Sequence, residues 1–130
     1  MLYHDANKIT ALKDIYLWES FVLDWELRGG ELRIKIDAYL FPEHSSYVKP
    51  REDEWACFVD AYLIFEGTNE MEGFDALNKA KPAVDASGEK DFGHIEDFQF
   101  TALGKYIFSI EYAGQLTFKA KGVKLELVNV

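Results

Sequence analysis

Phe21-Val22-Leu23-Asp24-Trp25-Glu26-Leu27-Arg28-Gly29-Gly30-Glu31-Leu32-Arg33-Ile34-Lys35-Ile36-Asp37 consists of two alternating apolar and polar runs joined at a pair of glycines. Alternation with a period of two is the mark of a half-buried strand. Read this way, Phe21, Leu23, Trp25 and Leu27 share one face, as do Leu32, Ile34 and Ile36. Gly29-Gly30 supplies the backbone freedom that a tight antiparallel connection demands. The stretch predicts a β-hairpin over residues 20–40.

The same texture continues in both directions. Trp55 to Glu66 reads as a third strand, with Trp55, Cys57, Val59, Ala61, Leu63 and Phe65 on one face. Phe58, Tyr62 and Ile64 make its other face apolar too, which predicts a central position in its sheet. Pro42 to Glu54, with two prolines, two serines and the run Glu52-Asp53-Glu54, reads as a loop. Toward the C-terminus, Ile95 to Ala102, Tyr106 to Tyr112, Leu116 to Lys121 and Val123 to Val128 are four short strands punctuated by glycines. Two helical segments are expected: one over residues 5–17, where Ile9, Leu12 and Tyr16 share a helical face, and a short one from Met71 to Lys79. Residues 68–92 are otherwise the least regular part. The fold class is therefore mainly β (α+β): an antiparallel β-sandwich or open barrel of about seven strands with one or two short helices. It is read as a single β-rich domain over residues 1–130.

The chain has 130 residues, 48% hydrophobic and 15% aromatic, which is enough apolar material for a proper core. Its net charge of -9 is unevenly placed: Glu52 to Asp97 holds 13 acids against 3 bases. Such a field repels phosphate backbones and anionic lipid, so no nucleic acid and no membrane surface is expected as a partner. It favours a basic protein. No apolar run approaches the ~20 residues that span a bilayer, and no basic segment followed by an apolar stretch opens the chain. Cys57 is the only cysteine, so no internal disulfide forms. Its apolar surroundings make it a small buried hydrophobe rather than a nucleophile. A cytoplasmic location follows as the expectation.

Motifs that carry chemistry are few. His4, His44 and His94 show no metal-site spacing, and Asp91, His94, Glu96 and Asp97 read better as polar residues flanking a strand. On a regular strand His94 and Glu96 would share a face, with Asp97 opposite. The acidic runs lack the Asp-x-Asp-x-Asp-Gly calcium loop. No Gly-x-Ser-x-Gly is present, and Arg28-Gly29-Gly30 joins strand to strand without the helix of a phosphate loop. No catalytic residue, cofactor or metal is assigned. Lys119, Lys121 and Lys124 read as charges that guard an edge hairpin against aggregation. Tyr39 falls on the polar face of its strand. Trp18, Glu19, Tyr39, Glu52, Asp53 and Glu54 are the candidate interface residues, aromatic anchors beside acids.

Leu17-Trp18-Glu19-Ser20-Phe21-Val22-Leu23-Asp24-Trp25-Glu26-Leu27-Arg28-Gly29-Gly30-Glu31-Leu32-Arg33-Ile34, together with Phe65-Glu66-Gly67 and Gly114-Gln115-Leu116-Thr117-Phe118-Lys119-Ala120, resembles a recurrent bacterial pattern. It is that of small β-rich domains of unknown function, some of whose members are predicted immunity proteins of polymorphic toxin systems. Trp18-Glu19 stands where that pattern often carries His-Asp, and no functional residue is transferred. The expected function is a non-catalytic protein-binding module, an acidic immunity-type inhibitor of a basic partner. The alternatives are a small-molecule or metal-binding β domain and a carboxylate-dependent enzyme. The sequence leaves the oligomeric state open.

Overall fold

A computed structural model describes residues 2–128; residues 1 and 129–130 of the expected domain lie outside them. In chain order the strands are β1 (His4–Asp5), β2 (Phe21–Arg28), β3 (Glu31–Leu40), β4 (Cys57–Glu66), β5 (Asn69–Glu72), β6 (Ala83–Val84), β7 (Lys90–Asp91), β8 (Ile95–Phe100), β9 (Lys105–Ile110), β10 (Gly114–Lys119) and β11 (Gly122–Leu127). A four-residue helix, α1 (Phe74–Leu77), follows β5. The first sheet runs β11-β4-β3-β2 and the second β1-β8-β9-β10-β5, with β6-β7 a separate hairpin. Every pairing is antiparallel. The expected sandwich and the central placement of the third strand, β4, are both present. The seven expected strands are the longer ones, and the four extra ones are short.

Strict alternation makes β3 the spine of the first sheet. Leu32, Ile34, Ile36, Ala38 and Leu40 are all buried, while Arg33, Lys35, Asp37 and Tyr39 face outward. Gly29 and Gly30 take φ of 59° and 79°, the two left-handed positions that match the strand twist in a two-residue hairpin. Across the core, Phe65 of β4 meets Phe98, Tyr106, Phe108 and Phe118 of the second sheet at centroid distances of 4.9 to 6.3 Å. Most of these contacts are edge-on, the arrangement that aromatic quadrupoles favour.

The two sheets meet at a corner, where consecutive strands pass from one to the other. β4 passes through Gly67 into β5, leaving the first sheet for the second, and β10 passes through Lys121 into β11 in the opposite sense. The amide of Lys121 donates to the carbonyl of Glu66 (2.7 Å), tying the two crossings together. Strands that bend from one sheet to the other are how sandwiches turn corners. At another edge, Phe92–Ile95 lies between β2 and the end of β9. The Val22 amide donates to the Gly93 carbonyl and the Tyr112 amide to the Phe92 carbonyl, both at 2.9 Å.

Three expectations are corrected. A β-bulge in β2 sets Val22 opposite Ile36 and Asp24 opposite Lys35, leaving Leu23 as the extra residue. Val22 is therefore buried, whereas Phe21 joins the outer face. The N-terminal helix is replaced by single 3-10 turns at Ala6–Lys8 and Thr10–Leu12, because Ile9 and Lys13 adopt extended backbone and Asp14 a φ of 64°. The segment instead lays Ala6, Leu12, Ile15 and Leu17 into the core. Within Met71 to Lys79, β5 and α1 divide the stretch, since Gly73 at φ 93° interrupts any longer helix.

Candidate functional site

The outer face of the first sheet carries a continuous band of rings. Tyr39 of β3 and Phe58 of β4 are cross-strand partners with centroids 5.4 Å apart. Trp55 covers both, edge-on, at 5.5 Å from Tyr39 and 5.2 Å from Phe58. Phe21 extends the band beyond Phe58, and Tyr16 with Phe41 extends it beyond Tyr39. Local backbone explains the placement. Asp14 to Tyr16 pair with the end of β3, the Tyr16 amide donating to the Tyr39 carbonyl at 2.9 Å. Buried Ser20 then locks the join: its hydroxyl donates to the Tyr16 carbonyl (2.9 Å) and accepts from the Tyr39 amide (3.0 Å).

Trp55 is 68% exposed although its neighbours in the band are half-buried. The expectation that it shares a strand face with Cys57 is corrected: regular pairing begins only at Cys57. Cys57 itself is buried. Entering the ladder two residues later than expected frees the Trp55 ring to fold over the outer face.

Carboxylates flank the rings. Asp37 and Asp60 stand directly opposite each other, one pleat along from Tyr39 and Phe58. Like charges so placed oppose folding. Burial pushes the Asp37 carboxyl up to about 6, reinforced by the negative charges of Asp60, Glu89 and Asp91. Glu52, Asp53 and Glu54, all exposed, lead into Trp55. Glu54 is held below its ordinary value by its hydrogen bond from Arg51, whose Nε lies 3.0 Å from Oε1.

Of the six expected interface residues, the structure gathers Tyr39 with the Glu52–Glu54 run through Trp55. Trp18 and Glu19 belong elsewhere, on the 3-10 turn Leu17–Glu19. Trp18 lines an open depression of about 450 Å³ with Asp5, Glu96, Asp97 and Gln99, against the second sheet. A bulge between Ile95 and Asp97 lets both Glu96 and Asp97 border that depression, against the regular alternation expected there. His94 faces Glu111, its Nε2 lying 3.5 Å from Oε2. Lys119 of β10 pairs with Glu70 (3.4 Å) and Lys124 of β11 with Glu66 (3.0 Å); β10 lies inside its sheet, so of this hairpin only β11 is an edge for such charges to guard. A further depression, about 560 Å³, is an open groove bordered by Tyr3, Met71, Lys105, Tyr106 and Phe118. Among the described residues no three His, Cys, Asp or Glu side chains converge as a metal-ligand set. None of their helices is long and apolar enough to cross a membrane.

No family model matches the chain, and no curated protein or solved structure is significantly similar to it.

Phe21, Phe41, Trp55, Phe58, Asp37 and Asp60 are among the members of the site that the sequence did not single out. A usable signal existed for two of them: β3 alternation puts Asp37 on the same face as Tyr39, and register then brings Asp60 opposite.

Proposed function

We propose that this protein is a non-catalytic binding module that engages a basic protein through the outer face of its first sheet, in the manner of an acidic immunity-type inhibitor that occludes its target. The observation that carries the reading is Trp55, exposed yet braced edge-on by Tyr39 and Phe58. A large ring already fixed by its neighbours loses little freedom on binding, and such residues dominate interface energetics. Asp37, Asp60 and Glu52–Glu54 outnumber the nearby bases Arg51 and Lys35 and give the surroundings a net negative charge, which favours a cationic counterpart and speeds its approach. An arginine of the partner would stack on the free face of the Trp55 indole while its guanidinium meets the carboxylates. The buried lone cysteine suits a reducing compartment, in keeping with a cytoplasmic inhibitor.

The test is capture from native lysate with the tagged protein and its Trp55→Ala variant, at low and high salt. One stoichiometric basic protein held by the wild type, released by salt and lost with Trp55→Ala is the expected result. The loss corresponds to about 2 kcal/mol or more. Capture indifferent to both salt and Trp55, or no partner at all, overturns the reading.

A further inference from the structure

β11 is an edge strand of the first sheet, paired with β4 on one side only. The Val128 amide donates to the Asp60 carbonyl at 2.8 Å, beside the Leu127–Ala61 pair. In an antiparallel ladder this makes Leu127 and Ala61 a non-hydrogen-bonded pair. The amides and carbonyls of Leu127 and, two residues back, Leu125 then point away from β4. The Thr10–Leu12 turn packs near β11, yet among the described residues no backbone group hydrogen-bonds this outer edge. Val123, Leu125 and Leu127, on the inner face of the strand, are only partly covered. Lys124 and Glu126 alternate with them on the outer face, both exposed.

We infer that β11 pairs antiparallel with β11 of a second copy about a two-fold axis through Leu125, joining the two first sheets into one. The sequence Val123-Lys124-Leu125-Glu126-Leu127 is self-complementary under that operation. Leu125 meets its own counterpart, Val123 meets Leu127, and each Lys124 meets a Glu126. The Lys124–Glu126 pairs fall at non-hydrogen-bonded positions, where opposite side chains approach most closely. Register is fixed by charge. A two-fold centred on Lys124 sets lysine against lysine, and one centred on Glu126 sets glutamate against glutamate. An axis between adjacent residues puts apolar side chains on the polar face. Pairing satisfies the open backbone edge and shields Val123, Leu125 and Leu127. It leaves the band around Trp55 on the sheet face rather than the edge, so this inference stands apart from the proposed function.

The experiment is sedimentation equilibrium of the wild type, Lys124→Glu and Glu126→Lys, each alone and mixed in equal amounts, with circular dichroism to verify folding. The wild type should show a concentration-dependent monomer–dimer equilibrium. Each variant alone sets like charges opposite in both pairs and should self-associate at least about tenfold more weakly. The mixture restores both opposite-charge pairs and should form a one-to-one heterodimer. A wild type that stays monomeric throughout, variants that dimerise as well as the wild type, or a mixture that stays monomeric overturns the inference.

Discussion

Asp37 is the residue where the chain works against its own folding. Its carboxyl rises from 3.8 to about 6, chiefly through burial and then through Asp60, Glu89 and Asp91. The folded state thus holds this proton more tightly than the unfolded chain. The resulting stability is fully present below about pH 4 and is lost as pH rises through about 6. Undamped, the displacement is worth roughly 3 kcal/mol, and solvent screening at this partly exposed position leaves about 1–2 kcal/mol. Asp37→Asn should therefore stabilise the protein by that amount at about pH 8 and by almost nothing at about pH 4. Urea denaturation at both values checks this, and equal gains at the two would refute it. Ser20 has the opposite character. It is fully buried and satisfies both the Tyr16 carbonyl and the Tyr39 amide. Ser20→Ala should cost about 1–3 kcal/mol by orphaning those groups, and it should loosen the Tyr16 end of the aromatic band. Denaturant melts, with the near-ultraviolet dichroism of the rings, would report both effects.

At the scale of the element, β3 was legible because unbroken alternation in sequence became unbroken alternation in burial, and β4 because apolar residues on both faces mark a central strand. β2 was legible as a strand but its buried face was not, because a single bulged residue shifts the phase without leaving a mark in the pattern. Reading Phe21, Leu23, Trp25 and Leu27 as one face makes Leu23 the core residue; the structure gives that place to Val22. The two readings rank substitutions in opposite order. Val22→Asp should cost about 4 kcal/mol or more, since it buries an unpaired charge, and Leu23→Asp about 1 kcal/mol. Comparable losses, or the reverse order, would mean that the bulge lies elsewhere. The N-terminal segment departs from its helical spacing for a related reason. Its apolar spacing suits a helix, yet it is too short to be stable without packing, and the core takes its side chains one turn at a time. The candidate site was half legible for the same cause. Tyr39 could be placed by alternation alone, whereas Trp55 and Trp18 depended on where strands start and on which sheet a connecting turn leans against.

Over the whole molecule, charge and core pull apart. Phe65, surrounded by the rings of Phe98, Tyr106, Phe108 and Phe118, anchors one sheet to the other. A net charge of -9 spread over a chain of this size repels itself. Raising sodium chloride from about 0.02 M to about 0.2 M, which contracts the screening distance severalfold, should raise the melting temperature. A melting temperature that falls or stays level would show that attractive pairs such as Lys124–Glu66 and Lys119–Glu70 outweigh the repulsion.

The shared corner has one more consequence. The exposed turn of the β6-β7 hairpin, Asp85 to Glu89, divides the chain so that β2, β3 and β4 fall on one side of it and β8, β9 and β10 on the other. Because β5 and β11 each cross to the opposite sheet, neither portion contains a complete sheet of its own. Cleaved between Ser87 and Gly88, the molecule becomes two halves, each holding an edge strand that belongs to the other's sheet. Such halves have reason to stay unstructured apart and to reassemble when brought together. The two fragments should each lack native dichroism and regain it on mixing, which circular dichroism of the separate and combined halves checks.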